Sequence, residues 1–389
     1  MKTILLFKDN EILPNAGGIA RMNYSLRIAL EKYDYRIIYL AAKKTTCVPS
    51  ETIQYYLPDQ SILSSEDNIL FIIELIKNES VEVIINNWFS IEAIKLLGAI
   101  KKVNDVNIIS WIHNNTVEYT SLFGYRKERF LKKYHLYFLY KILTSHLTIQ
   151  MLRYYGRYKY NNIAKELYEI SNRVVTVCEG NAREFKFLLN APDFHNKIRV
   201  ISNFISNRTK DPIEEKEKIV VWCGAVNFEL KKTNWMLDIW KSVSKNHQDW
   251  TLNIMGDSKQ LDEMQQYALT NNVPNVIFQG RVDPSSFYEK AAILCSTSIT
   301  ESFGLSIVEG MQMGVVPVAF ASSPSIPEII KDNGVLVKPY NKSLFAKKIS
   351  ELISSNEKRK YLLKKCVEAS SQYEEASIIN DWIQLIENL

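Results

Sequence analysis

Closely spaced cysteines are missing from this sequence. The five present (Cys47, Cys178, Cys223, Cys295 and Cys366) are odd in number and form no C-x-x-C pair. That excludes a disulfide framework and a zinc knuckle, and leaves reduced, mostly buried thiols. No G-x-G-x-x-G opens a helix after a strand, which argues against a dinucleotide-dependent dehydrogenase. No D-x-D motif offers two carboxylates to a divalent cation. The amino terminus, MKTILLFKDNE, has an apolar run too short for a signal-peptide core or a membrane span, so a cytoplasmic protein is expected.

Charge of one sign is scarce as well. A net charge of +5 over 389 residues is too small to imply a nucleic-acid partner. It is also local: between Arg126 and Tyr160 nine Lys or Arg face one acidic residue, Glu128, so the remainder is slightly acidic (+5 − 8 = −3). With 46% hydrophobic and 23% charged residues the composition is that of a globular protein. The length exceeds one ordinary core and favours two domains of similar size.

Short β-rich runs alternate with longer helical patterns, which predicts parallel sheets with crossover helices. Strands are predicted at 3–7, 36–40, 81–86, 106–112, 173–177 and 197–201. Ile19, Met22, Leu26 and Leu30 mark an amphipathic helix after the Gly17-Gly18 turn. Residues 205–218 lose apolar periodicity and gain charge and a proline, predicting a linker. The alternation then restarts, with strands at 219–223, 250–255, 276–279, 292–296 and 315–319. The reading is an α/β chain: a domain over 1–204, a linker over 205–218, a second domain over 219–370, and a helix over 371–389 that packs back on the first. The two domains are expected to face one another across a cleft at the carboxyl ends of their strands, where open parallel sheets bind ligands.

The most informative stretch is SITESFGLSIVEGMQMGVVPVA, residues 298–319. Glu301 lies before a predicted helix and Glu309 inside it, about two turns on. Between them, the amides of Ser302, Phe303, Gly304 and Leu305 occupy the loop and first helical turn, where unpaired N–H groups and the helix dipole favour an anion such as a diphosphate. Carboxylates on either side of a phosphate site match the order of a nucleotide sugar: sugar, diphosphate, ribose.

E-S-F-G-L followed by I-V-E-G-M-x-x-G-x-x-P-V resembles the E-x7-E signature of retaining GT-B glycosyltransferases, the group often called family 4. The resemblance implies two Rossmann-like βαβ domains with C-terminal helices. It implies that Glu301 contacts sugar hydroxyls and Glu309 the ribose. Gly17, Gly18 and Arg21 resemble the family's Gly-rich turn near donor phosphate and acceptor, and His113 its histidine near the reacting sugar. Asn203 resembles the asparagine of a P-N-G turn whose proline and glycine are replaced by Ser202 and Phe204. In WCGAVNFELKKTNWML, Gly224 and Lys232 align with a G-R-L…K-G segment that clamps the donor diphosphate, with Lys231 adjacent. The arginine of that segment is replaced by Ala225, and Lys231, Arg281 and Arg21 are the candidate substitutes. Gly256 and Gly280 match two further strand-end turns.

The resemblance thus implies a metal-independent, cofactor-free transferase of nucleotide sugars, in which His113, Glu301 and Lys232 take part in catalysis. UDP-sugars come first and GDP-mannose second. A glycan or lipid-linked acceptor in bacterial surface polysaccharide synthesis is expected. A catalytically degenerate sugar-binding subunit is the alternative, suggested by Ala225; epimerases and phosphorylases share the architecture. The basic stretch from Arg126 to Tyr160 also holds nine aromatics, with Leu131, Tyr134, Phe138 and Ile142 at helical spacing. Arg129, Lys132 and Lys133 are expected to touch an anionic membrane surface, making the protein peripheral on the inner face of the plasma membrane.

Overall fold

A computed structural model of the chain describes residues 1–13, 17–44, 53–113, 116–193, 195–208 and 211–389. Cys47 and two residues of the 205–218 segment, Thr209 and Lys210, lie outside them. In chain order the described elements begin β1 (Lys2–Lys8), α1 (Gly18–Glu31), β2 (Tyr35–Ala41), β3 (Gln54–Tyr56), α2 (Glu66–Asn78), β4 (Val81–Asn86), α3 (Ile91–Val103) and β5 (Asn107–Ile112). Five helices follow: α4 (Thr116–Ser121), α5 (Phe123–Arg126), α6 (Glu128–Lys133), α7 (Tyr137–Leu143) and α8 (His146–Ile170). Then come β6 (Arg173–Thr176), α9 (Glu179–Leu189), β7 (Ile198–Val200), β8 (Glu217–Cys223), α10 (Thr233–Val243), β9 (Thr251–Met255), α11 (Leu261–Thr270), β10 (Val276–Gly280) and α12 (Ser285–Lys290). The remainder is β11 (Ala291–Ser296), α13 (Leu305–Gln312), β12 (Val316–Phe320), α14 (Ser325–Ile330), β13 (Val335–Val337), α15 (Lys342–Ser354), α16 (Asn356–Ser370) and α17 (Glu375–Glu387).

These elements form two compact units. The first comprises Met1–Asn114, Arg157–Phe204 and Glu375–Leu389. Its seven parallel strands run in the order β3-β2-β1-β4-β5-β6-β7. The central strands are buried on both faces and carry β-branched and leucine runs such as VEVIIN and NIISWI, as parallel strands must. Ser65 and Ser90 cap α2 and α3 by accepting amide hydrogens of Asn68 and Ala93. Helix α17 belongs to this unit. Its buried Trp382 meets Trp111 of β5 edge-on at 4.7 Å, and Lys2 binds Glu387 at 2.8 Å.

The second unit comprises Asn115–Gly156 and Ile205–Glu374. Its six parallel strands run β10-β9-β8-β11-β12-β13. Glycines set its tight spots. A Cβ on Gly310 of α13 would come within 2.8 Å of Leu294 on β11, so I-V-E-G-M lies hard against the sheet. Gly224, Gly256 and Gly280 close the ends of β8, β9 and β10 side by side: the Gly224 amide donates to Met255, and the Gly256 amide to Gly280 at 2.7 Å.

The sequence reading kept all of 1–204 together, whereas residues 115–156 group with the second unit. Leu122 enters that unit's core, and the Tyr125 ring lies 4.1 Å from Tyr340 and 6.3 Å from Trp235. The continuous amphipathic helix expected through Leu131, Tyr134, Phe138 and Ile142 is broken at His135, whose φ of 56° no α-helix contains. Only Leu131 of that stripe is buried; Tyr134, Phe138 and Ile142 face solvent.

Gly256 has φ 144°, and a Cβ there would sit 1.8 Å from the Gly224 carbonyl oxygen. Gly256→Ala is therefore expected to cost about 1–3 kcal/mol or more, because backbone rather than a side chain must move. Equilibrium denaturation checks this; an unchanged midpoint would mean that the strand ends are not packed this closely.

Candidate functional site

In the second unit the loop between β11 and α13 carries Glu301. The Glu301 amide donates to Ser323 Oγ at 3.0 Å, and its carbonyl accepts from Ser325 Oγ at 3.3 Å. Its carboxylate accepts from Ser298 Oγ at 2.6 Å and pairs with Lys231 Nζ at 2.5 Å. Lys231 is delivered by a second loop, folded around Asn227, whose amide oxygen accepts the backbone N–H groups of Leu230 and Lys231, both at 2.9 Å. The two loops are tied together by Ile299 N–H to Leu230 O at 2.8 Å and by Thr297 Oγ, which donates to Lys231 O at 2.9 Å. Gly224 lies beneath, the Lys231 Cδ and Cε being 4.0 Å from the place a Cβ would take.

Gly304 is the residue before α13. Its φ of 107° turns the chain into the helix, and Phe303 is buried against Tyr373. Leu305 starts the helix, and Ser302 and Glu309 are partly buried on the same loop and helix. Ile307 N–H bonds the Gly304 carbonyl at 2.9 Å, and the N–H groups ahead of it in a helix have no carbonyl four residues back within the helix, so cation, carboxylate and helix start are neighbours.

Lys232, which aligned with the diphosphate clamp, points elsewhere. It adopts φ 51° at the start of α10, is 1% exposed, and donates to Glu128 Oε2 at 2.9 Å and Tyr125 O at 2.6 Å. The indole N–H of Trp235 also donates to Glu128 Oε2, at 2.8 Å, and Lys132 reaches Glu128 Oε1 at 2.7 Å. Burial pulls the Lys232 ammonium below the usual lysine range, with the Glu128 charge opposing it. Burial alone would raise Glu128, but Lys232 and Lys132 together hold it below the usual carboxylate range. The carboxylate is thus held in its charged form while burial works against the ammonium, and their 2.9 Å contact is that of an ion pair. Lys231 is thus the cation beside Glu301. The position of the missing arginine, Ala225, is exposed, as is Arg281.

Sequence reasoning missed Glu118 and Glu128. Glu118 accepts from Thr300 Oγ, next to Glu301, at 2.7 Å, which ties α4 to this loop. Of the expected membrane residues, Arg129 pairs with Glu263 and lies over Phe228, Lys132 pairs with Glu128, and Lys133 lies over Tyr134.

In the first unit, Gly17 has φ 104°, and α1 starts at Gly18 with Arg21 in its first turn. His113, just beyond β5, is 3% exposed and packs against Trp111 with ring centres 4.3 Å apart and planes tilted by 50°. A chain of amides fixes its tautomer. Asn23 Nδ2 donates to the Ile19 carbonyl at 2.8 Å, so Asn23 Oδ1 accepts from Asn87 Nδ2 at 2.7 Å. The remaining Asn87 oxygen, 3.1 Å from His113 Nε2, can only accept, which puts the ring proton on Nε2. Asn23 and Asn87 were not singled out from the sequence. Asn203 is also buried here, its amide oxygen lacking a hydrogen-bond partner.

Burial, with a smaller push from Lys8, drops His113 to about 3. A folded-state value below the unfolded one, about 6.5, means that unfolding takes up a proton at acid pH. Stability is therefore expected to fall by up to about 1.4 kcal/mol per pH unit from pH 6.5 toward 3. His113→Gln should flatten that slope in denaturant titrations at several pH values; an equal slope in both proteins would show that the imidazole is not held neutral.

Residues 203–366 match the family model described as glycosyl transferases group 1. An uncharacterized glycosyltransferase of Haemophilus influenzae is 25% identical over 98% of this chain and 99% of its own length. An undecaprenol-diphosphate oligosaccharide N-acetylgalactosaminyltransferase of Campylobacter jejuni is 26% identical over 52% of this chain and 55% of its own. The fold of Anabaena Alr3699/HepE, solved with UDP-glucose, superimposes with a TM-score of 0.73 at 14% identity over the whole of both chains. Residues 203–366 are a group 1 glycosyltransferase domain, and the chain is a glycosyltransferase with the GT-B fold.

Proposed function

We propose that this enzyme transfers a sugar, with retention of anomeric configuration, from a nucleotide-sugar donor to a glycan or lipid-linked acceptor in bacterial surface polysaccharide synthesis. A UDP-sugar is the first choice of donor and GDP-mannose the second. The observation that carries the reading is the Lys231–Glu301 pair set at the start of α13. Support comes from the UDP-glucose held by the Anabaena protein and from the acceptor in the Campylobacter enzyme's name.

In this reading the helix-start amides and Lys231 take the diphosphate, Glu309 the ribose and Glu301 the sugar hydroxyls. Before donor arrives, Glu301 neutralises Lys231. The incoming diphosphate takes over the ammonium and frees the carboxylate to accept from sugar hydroxyls. Charge on the departing diphosphate is the main demand of the transition state, and preorganised amides with one lysine meet it without a metal ion. The departing phosphate oxygen receives the acceptor proton on the same face, so no carboxylate nucleophile is required. His113, held neutral, serves the sugar as a hydrogen-bonding group rather than as a proton donor. With Lys231 beside Glu301, Ala225 no longer argues for a degenerate subunit.

Calorimetry with UDP and uridine tests these assignments. Glu309→Ala should weaken UDP binding by about 1.5–3 kcal/mol, the size of hydrogen bonds to a charged group. Lys231→Ala should weaken UDP but not uridine, whereas Lys232→Ala should chiefly lower the melting temperature. Equal loss of UDP and uridine affinity in Lys231→Ala would remove the phosphate role.

Among the described residues no helix is long and apolar enough to cross a membrane. We propose peripheral attachment instead. Phe130, Tyr134, Tyr137, Phe138, Ile142, Leu147 and Met151 are each more than half exposed, with exposed Lys133 and Lys141 among them. Apolar side chains flanked by cations suit an anionic bilayer surface, where each basic residue contributes about 1 kcal/mol within a Debye length. The protein should float with anionic vesicles at low salt and stay behind with neutral ones. Lys133→Glu with Lys141→Glu should abolish flotation; these two are chosen because Arg129 and Lys132 hold internal pairs. Flotation that ignores salt and lipid charge would rule the electrostatic attachment out.

A further inference from the structure

The two groups that hold the Glu301 carboxylate, Ser298 Oγ at 2.6 Å and Lys231 Nζ at 2.5 Å, bind the same oxygen, Oε1. Neither contact uses Oε2. The two partners differ in what an arriving donor does to them. Lys231 carries its charge on a flexible stem, and in the proposed reaction the diphosphate takes it over. Ser298 is neutral and 4% exposed, so an anion has no charge on it to attract. Once the lysine has changed partner, the serine hydroxyl is the contact that stays on Oε1.

Ser298 stands on a fixed base. Its carbonyl accepts from Ser322 Oγ at 2.8 Å. On one side, the buried Thr297 Oγ accepts the Trp222 indole N–H at 3.1 Å and donates to Lys231 O at 2.9 Å. On the other, the Ile299 N–H donates to Leu230 O at 2.8 Å, and the Ile299 carbonyl accepts from Tyr340 Oη at 3.3 Å. Three consecutive residues are thus pinned to the loops that follow β8, β12 and β13. A hydroxyl has one proton to donate, and here Glu301 receives it. A side chain on so constrained a backbone holds its partner's geometry more closely than a lysine stem can.

We propose that Ser298 is a positioning residue for the transfer reaction: it retains Oε1 of Glu301 after the donor has taken Lys231, so that Oε2 is the oxygen offered to a sugar hydroxyl. The inference rests on the reading of Glu301 as the carboxylate that binds the donor sugar.

The full chain is assayed for release of nucleoside diphosphate from UDP-glucose, UDP-galactose, UDP-N-acetylglucosamine, UDP-N-acetylgalactosamine and GDP-mannose, and the donor turned over fastest is used throughout. Ser298→Ala deletes a single oxygen atom. It should lower kcat about tenfold or more, the size of a lost hydrogen bond to a charged group, and leave the dissociation constant of the free nucleoside diphosphate unchanged. Ser298→Ala combined with Glu301→Ala should be no slower than Glu301→Ala alone, because the hydroxyl has nothing to position once the carboxylate is gone. A merely structural serine would instead weaken nucleotide binding and multiply the two losses. Either of those results overturns the inference, as does a Ser298→Ala enzyme that keeps the wild-type rate while Glu301→Ala is slow. A fault in the reading of Glu301 itself shows differently: Glu301→Ala then keeps the wild-type rate.

Discussion

One buried ion pair organises the second unit. Glu128 and Lys232 are 7% and 1% exposed and share their surroundings with the Trp235 indole and the Tyr125 carbonyl. Removing one partner of such a pair leaves an uncompensated buried charge, which typically costs about 3–5 kcal/mol. Two consequences follow from its position at the start of α10. Helix α6, which ends at Lys133, is fastened to a unit whose first strand begins only at Glu217. Lys232 is also turned away from Glu301, so that of two adjacent lysines only Lys231 pairs with it. The positive φ of Lys232 is the local cost of sending neighbouring side chains in opposite directions.

Most of the strand framework was legible because parallel strands, covered on both faces, leave continuous runs of valine, isoleucine and leucine. Such runs are absent from β3, whose three residues are Gln54, Tyr55 and Tyr56, and β13 is only Val335 to Val337. Neither is long enough to show a period. The loop before α13 stood out for another reason: two carboxylates and a helix start lie within twelve consecutive residues, from Ser298 to Glu309. By contrast, Glu128 and Lys232 are 104 residues apart, and nothing local marks either as half of a pair. The choice between Lys231 and Lys232 was equally hidden, since it turns on one backbone angle. His135 broke a well-formed helical period because a histidine can adopt a left-handed conformation without the glycine that would have signalled it.

The first unit shows how one buried side chain depends on its neighbours. His113 owes its tautomer to Asn87, Asn87 its orientation to Asn23, and Asn23 its own to the Ile19 carbonyl in the opening turn of α1. The Gly17-Gly18 turn and the histidine, 95 residues apart in sequence (113 − 18), are thereby joined by three hydrogen bonds. A change at either amide side chain removes a constraint on which ring nitrogen of His113 carries the proton.

Helix α17 completes the first unit from the far end of the chain, with Trp382 against Trp111 and Glu387 against Lys2. The tryptophan that packs on Trp111 is thus 271 positions away in sequence (382 − 111), so removing α17 would uncover Trp111 while leaving the second unit, whose last residue is Glu374, with all of its own residues.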